Sequence, residues 1–194
     1  MIKKTDDRRV RRTKRALRQG LAQLLTEKKL KDISVRELTD LVDLHRGTFY
    51  VHYRDIYDLY AKVQGEMMEE IAQILDGFPT DSRDESPLFP IIRELMQYVK
   101  DNRVLCAAMM GENGDMNFVH ELSDMVGRRC IESWRVLYPG CSAQKYEYFR
   151  VYVLAGCVGV LQKWIDDGMK DTVDEVAHLV AQMAVQGVSF LSVP

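Results

Sequence analysis

Residues 34–60, SVRELTDLVDLHRGTFYVHYRDIYDLY, constrain the fold more than any other stretch of this chain. Ser34 can cap a helix, and Glu37 three residues on completes a capping box. Val35, Leu38, Leu41 and Val42 then recur at helical spacing and are expected to face a core. Asp43 forms a turn, Leu44 reads as a core plug, and a second short helix starts near Arg46. At about 100° per residue, Phe49 and Tyr53 share one face of that helix. Gly47, Thr48, Tyr50 and Val51 then point outward, with Arg46 and His52 at the edges. Two short helices joined by a tight turn, with a third starting directly after, predict a helix-turn-helix.

The outward face suits a nucleic acid. Arg can grip guanine edges, hydroxyls can reach phosphates, and glycine admits close approach. A plain surface helix more often carries Glu and Lys. Tyr50 and Tyr53 could instead both be packing aromatics. Tyr53 lies on the core stripe and Tyr50 off it, so packing is expected for the first and DNA for the second. His52 taken alone would read as a surface histidine, and Arg36 as a solvated charge.

Charge is distributed unevenly. Residues 1–54 hold 15 Lys and Arg against 7 Asp and Glu, a formal +8. The whole chain holds 27 and 29, so residues 55–194 hold 12 and 22, a formal −10. A basic end joined to an acidic remainder suggests one end that binds a polyanion and one that avoids it. The run from Arg8 to Arg18 is the densest part. It reads either as a solvated helix face or as a phosphate-binding flank, since like charges this close repel until a polyanion relieves them. Val10, Leu17, Leu21, Leu24 and Leu25 give the same helix a stripe to bury.

The segment from about Arg8 to about Lys62 resembles the DNA-binding domain of the TetR family of bacterial regulators. Gly47-Thr48-Phe49-Tyr50-x-His52-Tyr53 is the core of that resemblance. It implies that the helix from Arg46 is the recognition helix, and that Arg46, Gly47, Thr48, Tyr50, Val51 and His52 touch DNA. Arg36 in the preceding helix is implied as a further contact. The family's lysine that opens the next helix and holds a phosphate is Ile56 here, and Arg54 is expected to take over that role. Leu44-His45-Arg46 and the run Arg54 to Leu59 resemble a branch with a divergent C-terminal domain. Some members of that branch answer to a protein in place of a small molecule.

Periodic apolar residues continue to the C-terminus without sustained strand alternation. The expected fold class is all-α: an N-terminal three-helix helix-turn-helix domain over residues 1–54, and a C-terminal helical bundle over 55–194 for effector binding and dimerisation. About nine helices are expected in total. Helix four is placed at Asp55 to Asp76, followed by a loop, GFPTDSRDES, at Gly77 to Ser86. Further helices are placed near Pro87–Asp101, Arg103–Met110, Met116–Leu137, Ser142–Asp167 and Thr172–Leu191, the last opened by a capping box, Thr172-x-x-Glu175.

The last two helices are the expected dimer interface. Val176, Leu179, Val180, Met183, Ala184, Gly187, Val188 and Leu191 form one stripe, while Tyr152 to Leu161 is apolar nearly all round. Ala155, Gly156 and Gly159 would let another helix approach closely, and Met183 and Gly187 are placed with them at the interface. Both helices could also simply line the monomer core. Pairing is favoured because one short recognition helix reads few base pairs, and the family resemblance implies a homodimer.

A pocket for a small apolar effector is expected among Met96, Met109, Met110, Phe118, Trp134, Phe149 and Tyr152, although such a set is also ordinary core. Cys106, Cys130, Cys141 and Cys157 lack metal-site spacing and suggest reduced, mostly buried thiols in a cytoplasm, with a redox switch as the alternative. No apolar run is long enough to span a bilayer. Phosphate-loop, GxSxG and HExxH signatures are missing, so no enzyme, cofactor or metal is expected. The expected function is a dimeric repressor that leaves its double-stranded DNA operator when an effector binds. The alternatives are a ligand-free coactivator docking a protein partner, or an enzyme using the central cavity.

Overall fold

The computed structural model describes residues 3–78, 88–137 and 139–188; the side chains of 3–7, 88, 133, 137, 185, 186 and 188 fall outside this description. The expected loop positions beyond Phe78, the helix start at Pro87 and the end of the last helix at Leu191 also lie outside it. The described residues form nine α-helices and no strand. They are α1 (Lys3–Glu27), α2 (Val35–Leu41), α3 (Arg46–His52), α4 (Ile56–Asp76), α5 (Leu88–Asp101), α6 (Arg103–Met110), α7 (Met116–Leu137), α8 (Ala143–Asp166) and α9 (Val173–Val188). One 3₁₀ turn, Leu30–Asp32, precedes α2.

The chain divides into two compact units. The first comprises residues 1–67 with 104–118, so it contains α1 to α3, the first part of α4, α6 from Val104 onward and the first residues of α7. Leu17, Leu21 and Leu25 of α1 are buried with Leu38, Phe49, Leu59 and Val63, which supply the core that holds α2 and α3. Residues 104–118 join this unit through named bonds. Asn113 Nδ2 donates to the Leu25 carbonyl at 3.3 Å, and Gln64 Nε2 donates to Asp115 Oδ2 at 3.3 Å. Gly114 turns so tightly that a Cβ there would stand 2.1 Å from the Met109 carbonyl oxygen.

One local expectation changes in the folded chain. Leu41 was expected in the core, yet it is 42% exposed, while Thr39 is fully buried. The core-facing direction of α2 runs between Val35, Leu38, Thr39 and Val42. Thr39 tolerates burial because its hydroxyl donates to the Val35 carbonyl at 2.8 Å. At the Ser34 box, Ser34 Oγ accepts from Glu37 N–H at 3.2 Å, and the Glu37 carboxylate also bonds Lys28. The box at Thr172 closes in both directions, with Thr172 N–H to Glu175 Oε2 at 2.8 Å and Glu175 N–H to Thr172 Oγ1 at 3.2 Å.

Helices α1 and α2 meet at Gly20. A Cβ on Gly20 would stand 2.5 Å from Val42 Cγ1 and 2.9 Å from Leu38 Cδ1. The backbone approach there needs a residue without a side chain. Gly20→Val is expected to overpack the contact and lower stability by about 1–3 kcal/mol, read as a drop in thermal midpoint.

The second unit comprises residues 68–103 and 119–194. Here α5 packs along α9, and α8 also packs on α9. Its core centres on Ile131, Trp134, Tyr146, Phe149, Val153 and Ala184, with Cys130, Cys141 and Cys157 against it. Gly127 lets α7 approach α8, since a Cβ there would stand 2.6 Å from Leu154 Cδ1. Among the described residues no helix is long and apolar enough to cross a membrane.

Candidate nucleic-acid interface

Helix α3 is only seven residues long, too short to be stable by itself. Its orientation therefore depends on what holds its inner face and its two ends. Phe49 is fully buried and Tyr53 nearly so, with ring centroids 5.7 Å apart. Burial is the main cause that pushes the Tyr53 phenol up to about 12, with the Glu66 and Asp58 carboxylates adding to it. Those two aromatics turn the opposite face outward, where Tyr50 is 57% and Val51 76% exposed. Arg46 and Gly47 are exposed, and Thr48 and His52 are half-buried.

The N-terminal end of α3 is capped by a histidine. His45 Nδ1 accepts from the Gly47 N–H at 3.1 Å. A backbone N–H can only donate, so Nδ1 must be the acceptor and the neutral ring carries its proton on Nε2. Asp43, in the turn before it, sits at φ 51°, a left-handed conformation that Asp tolerates better than most residues. That turn delivers α3 from α2. The sequence reading missed His45, whose position just ahead of the helix was the available signal.

The C-terminal end is held from α4. Asp58, with its side chain 10% exposed, accepts from the Arg54 N–H at 3.0 Å and from Arg54 Nη2 at 3.3 Å. It also accepts from Lys62 Nζ at 3.0 Å. The Arg54 backbone bond first and the Lys62 bond second hold its carboxyl below the usual range. Lys62 Nζ donates in addition to the His52 carbonyl at 3.2 Å, and lies 5.1 Å above the Tyr53 ring centroid. Asp55 Oδ1 caps α4 by accepting from Asp58 N–H at 2.7 Å. Lys62 carries no local signal in the sequence, because its reach back to His52 crosses the turn between two helices.

Arg36 and Arg54 are both exposed on this unit. Arg36 lies 3.6 Å from Asp40 one turn along α2, an exposed pair of the kind that contributes little. The Arg54 side chain is 86% exposed despite its contact with Asp58. On α1, Arg8, Arg9, Arg11, Arg12, Lys14 and Arg15 are exposed, while Leu17 and Leu21 are buried. The basic run is thus the outer flank of a packed helix.

In the second unit, α8 buries Tyr146, Phe149, Val153 and Trp164 and leaves another face bare. Tyr148, Val151 and Tyr152 are 70%, 58% and 67% exposed, and on α9 Leu179 and Met183 are 46% and 51% exposed. Ala155, Gly156 and Gly159 are exposed on α8, and a Cβ on either glycine would meet nothing within 4 Å. Gly187 differs, since a Cβ there would stand 3.4 Å from Phe149 and 3.5 Å from Tyr152 of the same chain. Its small size serves a contact inside the unit. A groove of about 260 Å³ runs between Tyr152, Gly156, Cys157 and Val160 of α8 and Val180 and Met183 of α9.

Met96, Trp134, Phe149 and Tyr152 belong to the second unit, and Met109, Met110 and Phe118 to the first. Trp134 and Phe149 are in contact at 4.6 Å between centroids, and Phe149 and Tyr152 at 6.4 Å. Burial pushes the Cys130 thiol up to about 12 and the Cys157 thiol up to about 11. The thiolate is the reactive form, so both cysteines are expected to resist iodoacetamide at pH 8 until the protein is unfolded, as peptide mapping would show.

Residues 87–186 match a family model described as "Transcriptional regulator C-terminal region", TetR_C_8. Solved structures share the fold. The fatty acid degradation regulator FadR from Bacillus halodurans superposes with TM-score 0.71 at 11% identity, covering 90% of this chain and 95% of that one. A TetR transcriptional regulator from Streptococcus agalactiae gives 0.60 at 18% identity, covering 93% and 97%. The transcriptional regulator FadR from Bacillus subtilis, solved in complex with stearoyl-CoA, gives 0.62 at 10% identity, covering 89% and 97%. No curated protein matches the chain.

Proposed function

The chain belongs to the TetR family of transcriptional regulators, and from that membership we propose that it is a cytoplasmic, dimeric repressor released from a pseudo-palindromic operator by a small apolar effector. The observation that carries the DNA-reading part is the two-sidedness of α3. Phe49 and Tyr53 anchor one side in the core, leaving Tyr50 and Val51 exposed beside Arg46 and Gly47. In this reading Arg46 contacts a base edge in the major groove, while Thr48, Tyr50 and His52 hold phosphates. Gly47 and Val51 lie close to the bases, Arg36 and Arg54 flank the site, and the basic side of α1 adds a sequence-independent attraction.

The bare face of α8 and α9 supports a homodimer. Exposed Tyr148, Val151, Tyr152, Leu179 and Met183, beside the unfilled space at Gly156 and Gly159, offer an apolar surface that a second copy can cover. Two recognition helices, one from each copy, would then read successive major grooves. In this reading an apolar effector, or the apolar chain of a larger one, enters the second unit beside Trp134 and Phe149; the Bacillus subtilis regulator was solved with stearoyl-CoA, which carries such a chain. Effector binding would act by favouring a dimer whose two readers no longer match the operator spacing. The same bare face gives a second reading its observation: if the protein is monomeric in solution, that face suits a docked protein partner and a coactivator role.

Fluorescence anisotropy on DNA from upstream of the protein's own gene tests the reading, with a scrambled duplex as competitor. Arg46→Ala is expected to cost about 1–3 kcal/mol and to relax specificity, and Tyr50→Phe to weaken binding without changing preference. If both variants bind like the parent, α3 does not read DNA as assigned.

A further inference from the structure

Lys62 stands outside every group of residues that the resemblance to the family assigns to DNA, yet it makes the contact that ends the recognition helix. The last carbonyls of a helix have no partner within it. In α3 the His52 carbonyl receives Lys62 Nζ at 3.2 Å, from the second turn of α4. The same ammonium donates to Asp58 Oδ2 at 3.0 Å and sits over the Tyr53 ring. An ammonium has three donors; here two go to protein oxygens, the Tyr53 ring centroid lies 5.1 Å away, and the side chain is half exposed. Asp58 in turn is fixed by the Arg54 N–H, and its own N–H by Asp55. The Lys62 bond to His52 crosses the turn between α3 and α4, and Arg54 and Asp55, which bond Asp58, lie in that turn.

We propose that Lys62, anchored by Asp58, is a positioning residue that sets the tilt and register of α3 by holding its C-terminal carbonyl, and is not itself a phosphate contact. The proposal rests on the DNA-reading function above and deepens it. His45 caps one end of α3, Lys62 the other, and Phe49 with Tyr53 fixes the rotation about its axis. A seven-residue helix held at only one end would be free to swing. Moving Lys62 to a phosphate would break its bonds to His52 and Asp58 and uncap the helix it supports. Arg54 differs. Its side chain is 86% exposed and keeps most of its donors in solvent, so it remains the cation available to a phosphate in place of Ile56.

The test is Lys62→Met, with Arg54→Met as the phosphate-contact control. Operator affinity is measured by anisotropy across a salt series, and backbone amide exchange is measured on the DNA-free protein. Lys62→Met should weaken operator binding about tenfold, the worth of one charge-assisted hydrogen bond. Its salt slope should stay that of the parent, whereas Arg54→Met flattens the slope by about one. Amides of Phe49 to Tyr53 should lose protection while those of Leu17 to Leu25 keep theirs, which a general loss of stability would not produce. A flattened slope in Lys62→Met, an unchanged affinity or unchanged exchange in α3 would each overturn the proposal. If the parent protein shows no operator preference, the DNA-reading function itself fails. The exchange measurement then still decides whether Lys62 holds α3.

Discussion

Phe49→Ala is expected to destabilise the first unit by about 3–5 kcal/mol and to abolish operator binding, while Val51→Ala leaves stability within about 0.5 kcal/mol. The two positions are neighbours on one short helix, and their difference is a matter of facing. Phe49 is fully buried, with Tyr50 edge-on at 5.4 Å and Tyr53 at 5.7 Å between ring centroids. Removing its ring leaves a cavity in the patch that fixes how α3 is rotated. Val51 is 76% exposed and covers nothing. Urea unfolding gives the stability difference, and anisotropy on the operator gives the binding difference. Equal stability losses at the two positions would mean that α3 is not seated on Phe49.

Ala155→Glu is expected to turn the proposed dimer into a monomer and to lower operator affinity by about 10²–10⁴, with helicity and monomer stability kept. Ala155 is exposed on the bare face of α8, next to Gly156, in a helix that Glu favours as a surface residue. In a single copy the added carboxylate stays in water. In a dimer that buries this face it would lose its hydration without a partner, a cost of several kcal/mol that exceeds what a small interface can return. The affinity loss follows from multivalency, since the second reader of a dimer binds at an effective concentration that a monomer lacks. Light scattering with size-exclusion chromatography reports the mass, and anisotropy the affinity. A variant that remains dimeric would place the interface elsewhere. A parent that is already monomeric would turn attention to a protein partner for the same face.

Much of the candidate site is legible in the sequence because its signals are local. The facing of α3 follows from four consecutive spacings, and Phe49, Tyr53, Tyr50 and Val51 lie where periodicity puts them. Caps are legible for the same reason. Thr172 and Glu175 need only each other, and their box closes. Glu37 shows the limit of the method. Its box with Ser34 is the same pattern, but Lys28, nine residues earlier, adds a second bond to the carboxylate that the pattern does not foretell.

Helix rotation and long-range returns were decided elsewhere. Leu41 and Thr39 are both compatible with the spacing of α2, and hydrophobicity favours Leu41 as the buried one. The fold buries Thr39 because Gly20 lets α1 sit close over Leu38 and Val42, and a threonine hydroxyl can satisfy itself on the Val35 carbonyl.

What the residues determine alone is therefore the set of helices, the outward face of α3, the basic flank of α1 and the apolar character of α8. Tertiary structure decides the phase of each helix against its neighbours and the partners drawn from distant segments. Asn113 reaches Leu25, Gln64 reaches Asp115, and Lys62 closes α3 on His52. The physical reason is range. Periodicity and capping act over three or four residues, where backbone geometry dictates who can touch. Which of two equally spaced side chains is buried, or which carbonyl a lysine reaches across a turn, depends on the close packing of elements that the local pattern does not specify.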